Sequence, residues 1–124
     1  MSYYANWQGY LYLKDKLSKE NVEIIKEIIC KISDIEDIQH ITGVASSNQV
    51  DNRDGLNCMM LVLRGYDNYD DEEWNDMLDC LTPYINEDNA LVSQVEFIGE
   101  DNELWRFIFD ENQWSMQTGH VEYD

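Results

Sequence analysis

Proline, basic side chains and long apolar runs are all scarce in this chain of 124 residues. Pro83 is the single proline, and no Gly/Ser-rich stretch could serve as a linker. The length fits one domain over residues 1–124, and it is enough to bury a core. The longest uninterrupted apolar run, Cys58 to Leu63, is far short of a membrane span. The start, Met1-Ser2-Tyr3-Tyr4-Ala5-Asn6, lacks the basic and apolar regions of a signal peptide. Ser at position 2 excludes N-myristoylation. The three cysteines, Cys30, Cys58 and Cys80, have the spacing of neither a disulfide framework nor a zinc site. Each sits in an apolar run, so buried thiols in a reducing, cytoplasmic setting are expected.

Catalytic signatures are missing as well. The chain has no Gly-rich phosphate loop, no nucleophile elbow and no HExxH. Its two histidines, His40 and His120, stand in no motif spacing, so general acid–base work by either is the weakest reading. The stretch Asp51-Asn52-Arg53-Asp54-Gly55 faintly resembles a calcium loop. With Gly55 at loop position six, however, position one is Val50, which cannot ligate. No metal or cofactor is implied.

What is present in excess is negative charge. Against 8 Lys and Arg stand 26 Asp and Glu, a formal net charge of −18. The imbalance is uneven. Residues 1–64 carry a net charge of −2, whereas residues 65–124 carry −16, with Arg106 as their one base. Self-repulsion on this scale opposes a compact state and repels nucleic acid and anionic membranes. A halophilic protein would be acidic throughout, yet the first half retains Lys14, Lys16, Lys19, Lys26 and Lys31. A basic protein partner is the better explanation. Apolar residues at 44% and aromatics at 12% rule out a disordered acidic tail.

Periodicity orders the elements. Residues 4–14 alternate as a strand, with Trp7, Gly9, Leu11 and Leu13 inward and Tyr10 and Tyr12 outward. Ser18 is a helix N-cap. Val22, Ile25, Ile28, Ile29 and Ile32 form the apolar stripe of a helix over 19–33. A weaker strand is expected over 38–50, then a turn at Asp54-Gly55, then a buried strand over 56–64. Asp70 caps a second helix whose stripe is Trp74, Met77, Leu78, Leu81 and Tyr84 or Ile85. Strands follow over 90–98, 104–109 and 113–117, with a further short strand at 121–123. The order β-α-β-β-α-β predicts an α+β fold of ferredoxin-like plan. Its antiparallel sheet would carry two helices on one face and extra C-terminal strands.

The densest acidic stretch runs from Tyr66 to Asp79, with seven acids in fourteen residues. Asp67 precedes the second helix, and Asp70, Asp71, Glu72 and Glu73 open it, where capping and the helix dipole favour these four. Asp76 and Asp79 lie beyond the first turn, where they only repel their neighbours. Glu72, Asp76 and Asp79 fall at i, i+4 and i+7, one stripe opposite Trp74 and Leu78. Their axial spacings, about 6 and about 4.5 Å, are coarsely those of a phosphate track, whose strand charges lie about 3.4 Å apart. The turn bearing Glu100, Asp101 and Glu103 and the turn Asp110-Glu111-Asn112 add to the negative field. Tyr66 and Tyr69, beside the acids, are candidate interface anchors.

Phe97-Ile98-Gly99-Glu100-Asp101-Asn102-Glu103-Leu104-Trp105-Arg106-Phe107 resembles a C-terminal signature of short proteins from phages and bacterial mobile elements. Those proteins often begin with a Tyr-rich strand, as this chain does. Size, acidity and plan are similar to those of phage-encoded inhibitors of host defence, anti-CRISPR proteins and other DNA mimics among them. The resemblance brings no catalytic residue with it. It implies an inhibitor, not an enzyme, that binds a basic nucleic-acid-binding protein such as a CRISPR effector in the host cytoplasm, and neither nucleic acid itself nor a membrane. The alternatives are an immunity protein neutralising a basic nuclease toxin and, less well supported, a small enzyme.

Overall fold

The structure, a computed structural model, describes residues 3–14, 17–44, 56–88 and 91–119, with residues 40–44, 56 and 57 described by backbone alone. It is an α+β fold of six strands and two helices. The elements run β1 (Tyr4–Tyr12), α1 (Lys19–Cys30), β2 (Asp34–Val44), β3 (Leu56–Asn68), α2 (Asp71–Leu81), a short 3-10 turn (Thr82–Tyr84), β4 (Gln94–Gly99), β5 (Leu104–Asp110) and β6 (Gln113–Gly119). The strands form one sheet in the order β2-β3-β1-β4-β5-β6, and every neighbouring pair is antiparallel.

β1 organises the core. Ala5, Trp7, Leu11 and Leu13 are buried and Asn6, Gln8 and Tyr10 are exposed, as period-two alternation requires. Ile25 and Ile29 of α1 and Trp74, Met77, Leu78 and Leu81 of α2 pack into the same buried cluster as those residues of β1 and Leu13 just beyond it. Phe97 of β4 and Trp105 of β5, directly opposite in register, stack with ring centroids 5.3 Å apart. Trp7 meets Trp74 edge-on at 5.2 Å, and its indole N–H donates to Ser33 Oγ at 2.8 Å. Gly65, the β3 residue opposite Trp7, makes room for that ring. A Cβ there would lie 2.5 Å from Trp7 Cζ2.

Several boundaries differ from the sequence reading, among them the start of β4, at Gln94 and not 90. α1 ends at Cys30, not 33, because the N–H groups of Ile32 and Ser33 bond back to the Ile29 carbonyl and close the last turn. β2 begins at Asp34, four residues early, paired with Arg64. β3 continues to Asn68, because its partner β1 runs on to Tyr4. The thiol expectation holds for Cys58 only: Cys30 and Cys80 are exposed. Each follows a buried helix residue or its neighbour by a single step, which turns it off the inward face. The turn at 51–55, the strand at 121–123 and His120 lie outside the described residues, and His40 is placed in β2 by its backbone only. Among the described residues no helix is long and apolar enough to cross a membrane.

Candidate functional site

α2 is an acidic helix held down by an apolar underside. Asp70 caps it, its Oδ1 accepting from the Glu72 N–H at 2.8 Å and, longer, from the Glu73 N–H at 3.4 Å. Trp74, Leu78 and Leu81 beneath are fully buried. The acids above are exposed and separate into three sectors. Glu72, Asp76 and Asp79 run along the outward crest. Glu73 also turns toward α1, where with Asp76 it borders a groove that contains Lys31 and Cys80. Asp71 turns the other way, toward β5 and β6.

On that side lies an open concavity of about 750 Å³. Tyr3, Tyr69, Leu104, Trp105 and Met116 supply its apolar surface, and Asp71, Asp101 and Glu103 supply its acids. Two tyrosines fix two of these carboxylates. The Tyr3 hydroxyl donates to Asp101 Oδ1 at 2.5 Å, and the Tyr69 hydroxyl donates to Asp71 Oδ1. The Asp101 Oδ1 also accepts the Glu103 N–H at 3.2 Å. Tyr3 and Tyr69 are themselves tied together, the Tyr69 N–H donating to the Tyr3 carbonyl at 2.7 Å. Tyr69 and Trp105 meet edge-on at 4.8 Å.

These contacts set the electrostatics. Burial raises the Tyr69 pKa above the usual phenol value, and the hydrogen bond to Asp71 and that carboxylate's charge add to the shift. Tyr3 is raised in the same way, by desolvation first and then by its hydrogen bond to Asp101 and the charges of Asp101, Glu103 and Glu100. The hydrogen bond from Tyr3 lowers the Asp101 pKa. Trp105 acts on the Tyr69 hydroxyl in the opposite sense.

The candidate residues are thus only partly gathered. Asp71, Asp101 and Glu103 share the concavity, and Glu100 sits in the same turn with its N–H on the Tyr4 carbonyl. Asp67 pairs with Ala5 at the end of β3, and its carboxylate accepts the Asn68 N–H. Asp110, Glu111 and Asn112 lie at the far end of β5, roughly 20 Å from the 100–103 turn, beside Glu87 and Asp88. Tyr66 is 61% exposed and stacks on Tyr4. It alternates with Gly65, which faces Trp7, so it stands on the sheet face away from α2. Only Tyr69 of the two anchor candidates adjoins the acids. Tyr3, Trp105 and Met116 were not singled out as site residues by sequence reasoning. Met116 carried no local signal, since only its pairing with Phe107 brings it to the site.

Little neutralises this surface. Ion pairs among the described residues join Lys14 to Glu87, Lys26 to Glu23 and Arg64 to Glu36, and none of these involves an acid of α2 or of the 100–103 turn. Arg106 donates to the side-chain oxygens of Gln117 at 2.7 Å and Gln94 at 3.2 Å. No three His, Cys, Asp or Glu side chains among the described residues are grouped as metal ligands would be. Comparison with protein-family models, with curated proteins and with solved structures found no match.

Proposed function

We propose that this protein inhibits a nucleic-acid-binding effector of host defence by occupying its basic channel as a nucleic-acid mimic. The observation that carries the reading is the crest of α2. Glu72, Asp76 and Asp79 are exposed in a row on a helix whose underside is fully buried, and no ion pair described above neutralises them. Charges fixed on a rigid element cost little reorganisation when a partner's arginines meet them. Long-range attraction by the acidic half would speed encounter with a basic groove. The strand order β2-β3-β1-β4, with β5 and β6 added beyond β4, supports reading the scaffold as a ferredoxin-like unit with two extra edge strands. The likeness to phage inhibitors narrows the partner to an effector such as a CRISPR nuclease.

The test is capture from nuclease-treated host lysate at about 0.1 M and about 0.5 M salt, where screening differs strongly. Capture of one basic nucleic-acid enzyme in both conditions, with competition by its own nucleic acid, supports the reading. Many basic proteins at low salt and none at high salt would sink it. The double variant Asp76→Lys with Asp79→Lys should weaken the captured complex by about a hundredfold or more, since each reversal leaves a partner cation facing a cation. Its circular dichroism should be unchanged.

A further inference from the structure

We infer that the outer edge of β6 receives an extended basic segment of the partner protein as an added strand, and this rests on the basic-partner reading above. β6 ends the sheet and pairs with β5 alone among the described residues. The Phe109 N–H donates to the Ser93 carbonyl, on the β4 side. Backbone direction alternates along a strand, so Asp110, Ile108 and Arg106 face β6, where Gln113, Ser115 and Gln117 lie opposite them. The N–H and C=O groups of Trp114, Met116 and Thr118 therefore point away from the sheet. They form a row of donors and acceptors of the kind an extended peptide completes.

The two edges of the sheet are built differently. β2, at the opposite edge, carries Asp34, Glu36 and Asp37, and its register with β3 shifts twice. Charges and irregular pairing discourage strand addition. β6 has neither. Gln113-Trp114-Ser115-Met116-Gln117-Thr118-Gly119 contains no charge and no proline, in a chain of which 27% is charged, and its register with β5 is unbroken. The surroundings select the sign of the occupant. Met116 and Thr118 line one concavity with Asp71, Asp101 and Glu103, and no Lys or Arg among the described residues lines it. Asp110 and Glu111 stand at the other end of the strand. Arg106, beside β6 in register, donates to Gln117 and Gln94 on the opposite sheet face. Side chains of an added strand alternate between the faces, so every second one stands over the concavity and its acids. A second copy, itself at −18, brings the same sign and is repelled there.

The experiment adds three synthetic peptides of about eight residues, a length that matches β6, to the intact protein. One alternates Lys and Thr, one is the same peptide with every backbone amide N-methylated, and one alternates Glu and Thr. Hydrogen exchange of the protein amides is followed by NMR. The Lys-Thr peptide should slow exchange at Trp114, Met116 and Thr118 about tenfold or more, while Ser115 and Gln117, already facing β5, should change little. The N-methylated peptide keeps the charge but loses its main-chain donors, and it should bind at least about tenfold more weakly. The Glu-Thr peptide should not bind. Met116→Pro removes one outward N–H at an edge position that tolerates proline, and it should weaken Lys-Thr binding about tenfold. Met116→Ala keeps that N–H and should hold binding within about threefold. Equal binding of the two basic peptides, with shifts at 72, 76 and 79 and none at 114–118, would overturn the edge site and leave the proposed function standing. Protection at 114, 116 and 118 that grows with protein concentration, without peptide, would overturn it in favour of a second copy. Absence of Lys-Thr binding at about 0.1 M salt would overturn it too, and the lysate capture decides the proposed function separately.

Discussion

Trp7 is the residue around which most of the interior is arranged, and Gly65 is its counterpart. The indole is nearly fully buried, bonded to Ser33 Oγ and wedged against Trp74 and Phe97, so it has nowhere to move. Gly65→Ala should destabilise the protein by about 1–3 kcal/mol through overpacking, measurable as a lower urea midpoint at unchanged slope. At the surface, the two tyrosine–carboxylate pairs make stability depend on pH in a defined direction. The fold holds the Tyr3 and Tyr69 protons more tightly than the unfolded chain does. Their contribution is therefore complete below the ordinary phenol value of about 10 and is lost as pH rises beyond it. Asp101 works in the opposite window: its contribution is present above the usual carboxylate value and is lost as pH falls below it. Tyr69→Phe should flatten the alkaline decline in melting temperature between about pH 9 and pH 11. An equally steep decline in the variant would remove Tyr69 from that account.

The hairpins show how elements are joined under local strain. Glu111 and Asn112, the two residues between β5 and β6, both have positive φ, 51° and 63°. That is the geometry of a type I′ turn, whose hand matches the twist of the strands it connects. Asn adopts it at lower cost than Glu, because the longer side chain gains no local hydrogen bond to offset the crowded Cβ. Glu111→Asn should stabilise the hairpin by about 0.5–1 kcal/mol. Thermal melting checks this, and a fall in melting temperature would contradict it. The β4–β5 turn differs in that Asn102, at φ 67°, already occupies its left-handed position. Asp101 is thereby available to receive the Tyr3 hydroxyl and the Glu103 N–H.

Across the whole molecule, charge works against compactness. With 26 acids and 8 bases the folded chain concentrates like charges that the unfolded chain can separate. Added sodium chloride should therefore raise the melting temperature, steeply up to about 0.5 M as the screening length falls below the spacing of the surface acids. A melting temperature indifferent to salt would mean that the acids are too far apart in the fold to repel one another. Asp76 and Asp79 contribute to this repulsion without capping the helix or accepting a side-chain hydrogen bond that secures the core.

The sequence by itself determined what depends on neighbours a few residues apart. Period-two alternation from Tyr4 to Tyr12, the apolar stripe of α2, the caps at Ser18 and Asp70, and the concentration of net negative charge in residues 65–124 were all legible, because each is a local pattern. Only the tertiary structure decided what depends on pairing across the chain. The sequence reading stopped this strand at Arg64, yet β3 runs through Gly65, because β1 offers partners as far as Tyr4 and the Trp7 ring needs a residue without a Cβ there. That continuation sends Tyr66 to one sheet face and leaves Tyr69 beside the acids on the other. Tyr3 and Asp101, 98 positions apart, meet because β1 and β4 are adjacent, and Met116 joins them because β6 pairs with β5. A sheet's register is a non-local property, and so is the concavity that it builds.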